Sequence, residues 1–282
     1  MKKITKNFVF VLVLVSLLPV LAYAHQPRIT EARLTEVPNP EVSKAYYGEL
    51  VGAPDVYVIK AESAFNLYVN GLVPDIANQN KDISVVILKD GVELEKLDGI
   101  NFEWKKFYEP FGADTYWMGP EYKARAGAGT YEIIISSPKN DSKYSLAIGE
   151  IEAFDFKESI NAITLIPEIK KNFFNESPIG FIVSPIGWGL IVFMYVLAVI
   201  FGLAYRFILR RFAKGSVRGL SQNIGKPDRL LRALTGVGLL IWAITTTWSP
   251  ILIFFSGFVL FESIFSWCGL YAALGKNTCP IE

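Results

Sequence analysis

Ile186-Gly-Trp-Gly-Leu-Ile-Val-Phe-Met-Tyr-Val-Leu-Ala-Val-Ile-Phe-Gly-Leu-Ala-Tyr205, met at once by Arg206, decides how the rest of the chain is organised. The stretch carries no charge, and as a helix it extends ~30 Å, the thickness of a bilayer's hydrocarbon core. It is the centre of an uncharged run from Ser177 to Tyr205, so residues 181–209 are expected to form a transmembrane helix. Downstream, Ala233 to Gly275 holds a single charge, Glu262. That run is too long for one crossing. Thr245-Thr-Thr-Trp248-Ser-Pro250 supplies a turn, which gives a second span near 230–246 and a third near 250–272. Trp248 is then expected at the outer membrane–water interface.

Charge sets the direction of these spans. Between residues 206 and 232 there are eight Lys or Arg and one acid, Asp228. A basic loop over 210–228 is expected to stay in the cytoplasm, which places residues 25–180 outside and returns the C-terminus to the cytoplasm. Nucleic acid is not an expected partner of this loop, because its flanks are membrane spans and it carries no folded reading module. The formal net charge of +1 conceals this asymmetry: residues 1–24 carry +3, residues 25–180 carry −8, and residues 181–282 carry +6. Lys2, Lys3 and Lys6 precede an apolar run from Phe8 to Leu18, and Ala22-Tyr23-Ala24 has the small-x-small form of a cleavage site. Residues 1–24 are therefore expected to be a cleaved signal peptide, with His25 the first mature residue and the bacterial inner (cytoplasmic) membrane the destination. A composition of 51% hydrophobic residues with two Cys excludes a disordered chain and a disulfide-rich module.

Residues 25–155 show short β-rich runs separated by turn residues. Val56–Ile59, Phe65–Val69, Ile83–Leu88, Thr130–Ile135 and Lys143–Ile148 are the clearest, and Lys89-Asp90-Gly91 reads as a hairpin turn. The expected fold class is an all-β extracytoplasmic sandwich, jelly-roll-like, joined to an α-helical membrane region of three spans. Residues 102–122 hold 8 aromatics in 21 positions, in a long loop or irregular strand pair. Trp104, Tyr108, Tyr116 and Trp117 could form a stacking surface for a ligand, or the rings could close one end of the core. In the connector 156–180, Ile160, Ile163, Ile166, Ile169 and Phe173 recur near helical spacing, and Pro167 is expected to divide it into two short helices. This connector either lies at the membrane interface or packs on the β-domain.

Three candidate sites follow from residue chemistry. A carboxylate inside a span needs a partner. Counting back from the turn near 247–248, Glu262 is level with positions 233–234, so Arg232 is the nearest cation and Arg229 the next. A structural Glu262–Arg232 pair fixing the hairpin is expected, against an ion-conducting site. His25 offers an amine and a ring nitrogen to copper, but there is no second His to complete a strong site. Cys268 and Cys279, with no His nearby, do not form a zinc site and are either structural or a thiol pair.

The last 60 residues of the chain carry a family resemblance. Asn223-Ile-Gly225-Lys-Pro-Asp228-Arg229-Leu-Leu-Arg232-Ala-Leu-Thr-Gly236 at one end, and Cys268-Gly-Leu-Tyr271-Ala-Ala-Leu-Gly275-Lys-Asn277-Thr278-Cys279 at the other, resemble the inner-membrane YgaP-like transmembrane domain. The resemblance frames residues 222–279 and implies a two-helix hairpin often found with rhodanese domains. It departs from the family at Gly269, where proline usually follows the first Cys. From the residues themselves, Asn223 is expected to cap the entering helix, Gly236 and Gly238 to allow close helix approach, and Gly275 to end the last helix. The β-domain resembles small β-sandwiches of secreted bacterial proteins, including those beside peptidases, in its strand–turn rhythm over Asp55–Val69 and Gly129–Gly149.

No nucleophile–base pair, phosphate loop or metal cluster is visible, and no cofactor is expected. The expectation is a non-enzymatic envelope protein that presents its exported domain for binding, sensing or assembly. Its expected partners are the lipid bilayer, a second copy through the membrane helices, and an external ligand or protein. The alternatives are sulfur or thiol handling through Cys268 and Cys279, which rhodanese association suggests, and copper binding through His25.

Overall fold

The computed structural model describes residues 25–212 and 222–279, in two compact units that divide after Ser184. The expected signal peptide and the middle of the basic loop lie outside the described residues.

The first unit is a β-sandwich of eleven strands: β1 (Gln26–Ile29), β2 (Leu34–Glu36), β3 (Lys44–Glu49), β4 (Asp55–Ala61), β5 (Phe65–Pro74), β6 (Ser84–Lys89), β7 (Val92–Leu97), β8 (Lys105–Glu109), β9 (Asp114–Ala126), β10 (Gly129–Ser136) and β11 (Lys143–Ile148). One sheet has the order β1-β3-β11-β5-β9-β8, the other β2-β4-β10-β6-β7. All five runs singled out in the sequence fall on strands. Their alternation supplies the core. Tyr57 and Ile59, Tyr131, Ile133 and Ile135, and Val85 and Ile87 point inward from one sheet, meeting Leu67, Val69, Tyr144, Leu146 and Ile148 from the other. Asp90 (φ 49°) and Gly91 (φ 80°) close the β6–β7 hairpin with the left-handed pair that a two-residue turn requires.

A bulge in β9 decides which of its aromatics face the core. Asn70 pairs with Glu121 but Leu72 pairs with Met118, so β9 spends one extra residue at Gly119–Pro120. Trp117 and Tyr122, an odd number of residues apart, therefore both pack against the core, while Tyr116 and Met118 turn to the outer face. The Asn70 amide donates to the Gly119 and Pro120 carbonyls at 3.1 and 3.2 Å, satisfying the bulge.

That outer face is covered at one end by helix α1 (Phe156–Asn172). Asp155 caps it, accepting the Glu158 N–H at 2.8 Å, and Lys143 donates to the Asn172 and Phe173 carbonyls at its other end. The expected break at Pro167 does not occur; the helix runs through it for 17 residues. An interior proline costs about 3 kcal/mol, and here burial of Ala162, Ile166, Ile169, Phe173 and Phe174 offsets that cost. Of the two readings of this connector, the structure shows the packed one: Ile169, Phe173 and Phe174 form a cluster with Leu72, Tyr116 and Ala147 of the sheet.

The second unit is helical: α2 (Pro185–Phe212), α3 (Lys226–Thr246), α4 (Pro250–Phe265) and the short α5 (Gly269–Leu274). Two of these, over Pro185–Leu209 and Lys226–Thr246, are long and apolar enough to cross a membrane. The third, expected to reach residue 272, stops at Phe265 after 16 residues. Ser266 takes φ 52°, and its carbonyl turns to accept the Asn223 and Ile224 N–H groups. The connection between α3 and α4 falls where the turn residues lie, and Trp248 within it is fully buried.

Candidate binding cavity and hairpin cluster

The outer face of the six-stranded sheet holds a cavity of ~240 Å³. Side-chain size on the central strands creates it. Ala45 on β3 pairs with Ala147 on β11, and Ser145 pairs with Tyr47 and Leu72, so small residues occupy the middle of the face. Larger ones rim it: Tyr47, Tyr68, Phe107, Phe111, Tyr116, Met118, Ile166 and Ile169. The Tyr47 and Tyr116 hydroxyls are 3.0 Å apart. Ser145, 3% exposed, lines the cavity.

Two carboxylates stand at one side. Glu109, ending β8, accepts the Phe111 and Gly112 N–H groups, both at 2.7 Å. Burial pushes its carboxyl up to about 7, against the pull of those donors. Asp114, opening β9, pairs at 2.6 Å with Lys170 of α1, which also donates to the Ala113 carbonyl at 3.2 Å. Burial pushes Asp114 up to about 6, with Lys170 acting the other way. The sequence offered little sign of this group. Lys170 shares the buried helix face of Ile166 and Phe173, and a lone cation on an apolar face is a sign of a buried partner.

His25 also lines the cavity, its Nδ1 2.5 Å from the Ser43 hydroxyl, and burial lowers its pKa. Among the described residues no group of three or more His, Cys, Asp or Glu could hold a metal ion. The four aromatics considered as a surface are dispersed. Tyr116 is buried. Trp104 packs against the core and donates to the Gly99 carbonyl at 2.8 Å. Trp117 also packs there, donating to Asp75 at 2.8 Å, with the Lys81 ammonium 3.8 Å from its ring centre. Tyr108 alone of the four is exposed.

In the helical unit the two ends of the hairpin meet. Asn223 is fully buried and does not cap α3, whose N-cap is Gly225. It bridges to Cys268 instead, donating to the carbonyl at 2.9 Å and accepting the N–H at 2.7 Å. Gly225 donates to the Thr278 hydroxyl at 3.0 Å, and a Cβ there would lie 2.2 Å from the Thr278 carbonyl oxygen. Arg232 reaches Asp228 at 3.1 Å and Glu262 at 2.5 Å. Arg229 turns away from Glu262 to donate to the Ser263 carbonyl at 3.0 Å. The Tyr271 ring lies between Arg232 and Lys276, 5.1 and 4.9 Å from its centre. The Asn277 side chain accepts the Cys279 N–H at 2.9 Å, and Gly275 ends α5 at φ 67°. Cys268 is buried and Cys279 half-buried, both as free thiols.

Gly236 admits the Leu260 side chain, and its carbonyl accepts the Ser256 hydroxyl at 2.8 Å; Gly238 faces open space. Helix α2 seats against the hairpin through three glycine–aromatic contacts: a Cβ at Gly202 would meet Phe261 at 2.4 Å, at Gly257 Tyr195 at 2.8 Å, and at Gly269 Tyr205 at 1.9 Å. Tyr195 and Ser256 join hydroxyls at 2.9 Å.

A β-sandwich joined to apolar helices of membrane-crossing length makes this a membrane protein of two parts. Its residues 220–282 match the family described as "Inner membrane protein YgaP-like, transmembrane domain", as the two-ended motif implies. No curated protein matches the chain. Among solved structures, the sandwich is similar to the pre-peptidase C-terminal domain of a collagenase from Bacillus anthracis (11% identity, 45% of this chain and 95% of that one, TM-score 0.25). It is also similar to a family 35 carbohydrate binding module from an environmental isolate (19% identity, 36% of this chain and 67% of that one, TM-score 0.23). A β-glucosidase from Paenibacillus barengoltzii is a further match (13% identity, 44% of this chain and 13% of that one, TM-score 0.23).

Proposed function

We propose that this protein is a non-enzymatic binding protein of the bacterial inner membrane, with the sandwich outside the cytoplasm and three helices as its anchor. The cavity on the outer face of the six-stranded sheet carries the reading. It is concave, largely apolar, and edged by a few polar groups, as small-molecule sites are. His25 meets the Ser43 hydroxyl at 2.5 Å, but among the described residues no carboxylate bonds to the ring to orient it as a base, and the tyrosine hydroxyls are engaged with one another or with Glu121. The charge distribution supports the orientation, since the acidic sandwich precedes α2 and the basic loop comes after it. A short α4 is compatible with a third crossing, because the turn and α5 extend the path beyond its ~24 Å. The network at the hairpin ends supports a structural role for that region, as it consumes the polar groups of Asn223, Arg232 and Glu262.

The test is a thermal-shift screen of the full chain in detergent micelles, with amines, carboxylates, sugars and neutral aromatic compounds. At least one class is expected to raise the melting temperature of the wild type and leave Ala147→Trp, which fills the cavity, unshifted. If no compound gives a shift that depends on the open cavity, the binding reading fails.

A further inference from the structure

We propose that the cavity takes a small organic ammonium ion with an apolar or aromatic body, its charge set against Glu109 and its body among Tyr47, Leu72 and Met118. This rests on the proposed binding function and names its ligand class.

Volume, charge, rings and a hydroxyl all favour such a ligand. The ~240 Å³ is room for about eight waters at ~30 Å³ each, which suits a compact molecule rather than a chain of sugars. Lys170 already neutralises Asp114 at 2.6 Å, whereas among the described residues no Lys or Arg lies within ion-pair distance of Glu109. The two backbone donors on Glu109 leave oxygen lone pairs for a cationic donor. Tyr47, Tyr68, Phe107, Phe111 and Tyr116 surround the cavity, and aromatic faces attract ammonium groups. The small, buried Ser145 lies on the floor and offers a hydroxyl to the ligand. A neutral sugar needs many donors and acceptors around it, and this lining is mainly carbon. An anion would meet Glu109, and the nearest cation, Lys170, is already paired with Asp114.

Binding of a cation here carries a pH signature. Glu109 faces Asp114 from β9, Lys170 from α1, the Tyr47 and Tyr116 hydroxyls from the sheet, and His25 along the cavity wall. Burial raises its carboxyl to about 7. Above that value the carboxylate is ready for a cation. Below it the ligand must displace a proton, and affinity falls by up to tenfold per pH unit.

The experiment is calorimetric titration of the full chain in micelles with phenethylammonium, 2-phenylethanol as its neutral isostere and 3-phenylpropionate as the anion. At pH 8 phenethylammonium is expected to bind at least tenfold more tightly than the alcohol, with that advantage shrinking between pH 7.5 and 5.5. Glu109→Gln should abolish the advantage and its pH dependence while retaining alcohol binding. Should that variant fail to fold, the wild-type preference at pH 8 for phenethylammonium over both the alcohol and the anion decides. Equal affinities, a preference for the anion, or a pH-independent ammonium preference would overturn the ligand class. Cavity-dependent binding of another class in the thermal-shift screen would do so too, and would leave the binding function standing; no cavity-dependent binding of any class would end both.

Discussion

At the scale of single residues, the most constrained group in the helical unit is Glu262, 5% exposed, with Arg232 on its carboxylate at 2.5 Å. Glu262→Gln keeps the shape and removes the charge, leaving Arg232 with Asp228 alone. Unfolding in micelles should show a loss of roughly 1–3 kcal/mol. Arg232→Met made together with it should cost less than the two changes summed; strict additivity would mean the two side chains do not stabilise each other. Depth along a helical hairpin is legible from sequence because rise per residue is uniform, so counting from a turn ranks which side chains share a level. The task assigned to Asn223 was not legible. A buried amide serves whichever backbone tertiary structure brings to it, here Cys268, 45 residues away, and not the adjacent helix. Glu109 and Asp114 were hidden for a related reason. Their burial is a property of α1 folding over the sheet, and no local pattern around residues 109–114 announces it.

Among elements, the contact between α2 and the hairpin depends on side chains that are missing. Gly202, Gly257 and Gly269 each leave the place that an aromatic ring of the neighbouring helix fills. Close approach of this kind is how helices gain packing in lipid, where no hydrophobic drive operates between them. Gly269→Ala is expected to destabilise the helical unit by about 1–3 kcal/mol through steric conflict with Tyr205. Adding Tyr205→Ala should recover part of the loss, read as the melting temperature of the double variant lying above that of Gly269→Ala. A double variant less stable than either single change would refute the seat. The family's usual proline after the first Cys would face the same obstacle, so Gly269 is intelligible once α2 is in view. Periodicity found the sandwich strands because alternation is a local property. It missed the continuity of α1 through Pro167, since proline's local penalty is offset by packing that only the folded sheet supplies.

For the molecule as a whole, charge is the long-range order in the sequence, and its partition into −8 over residues 25–180 and +6 over residues 181–282 motivates the proposed orientation. Protease added outside intact spheroplasts should remove the sandwich and spare an epitope placed after residue 282. Loss of the epitope with the sandwich intact would invert the orientation. The way the chain leaves the sandwich has a mechanical consequence. Its last strand, β11, is not at an edge but is held between β3 and β5, and the next segment, α1, is fastened by Lys170–Asp114 and by the two-point Arg28–Glu158 pair. Tension applied through the C-terminal tether would first have to peel α1 away and then shear two hydrogen-bonded ladders at once. A domain fastened in this manner resists being pulled open from its anchored end, and the ammonium-sized hollow beneath α1 would be the first thing the force unroofs.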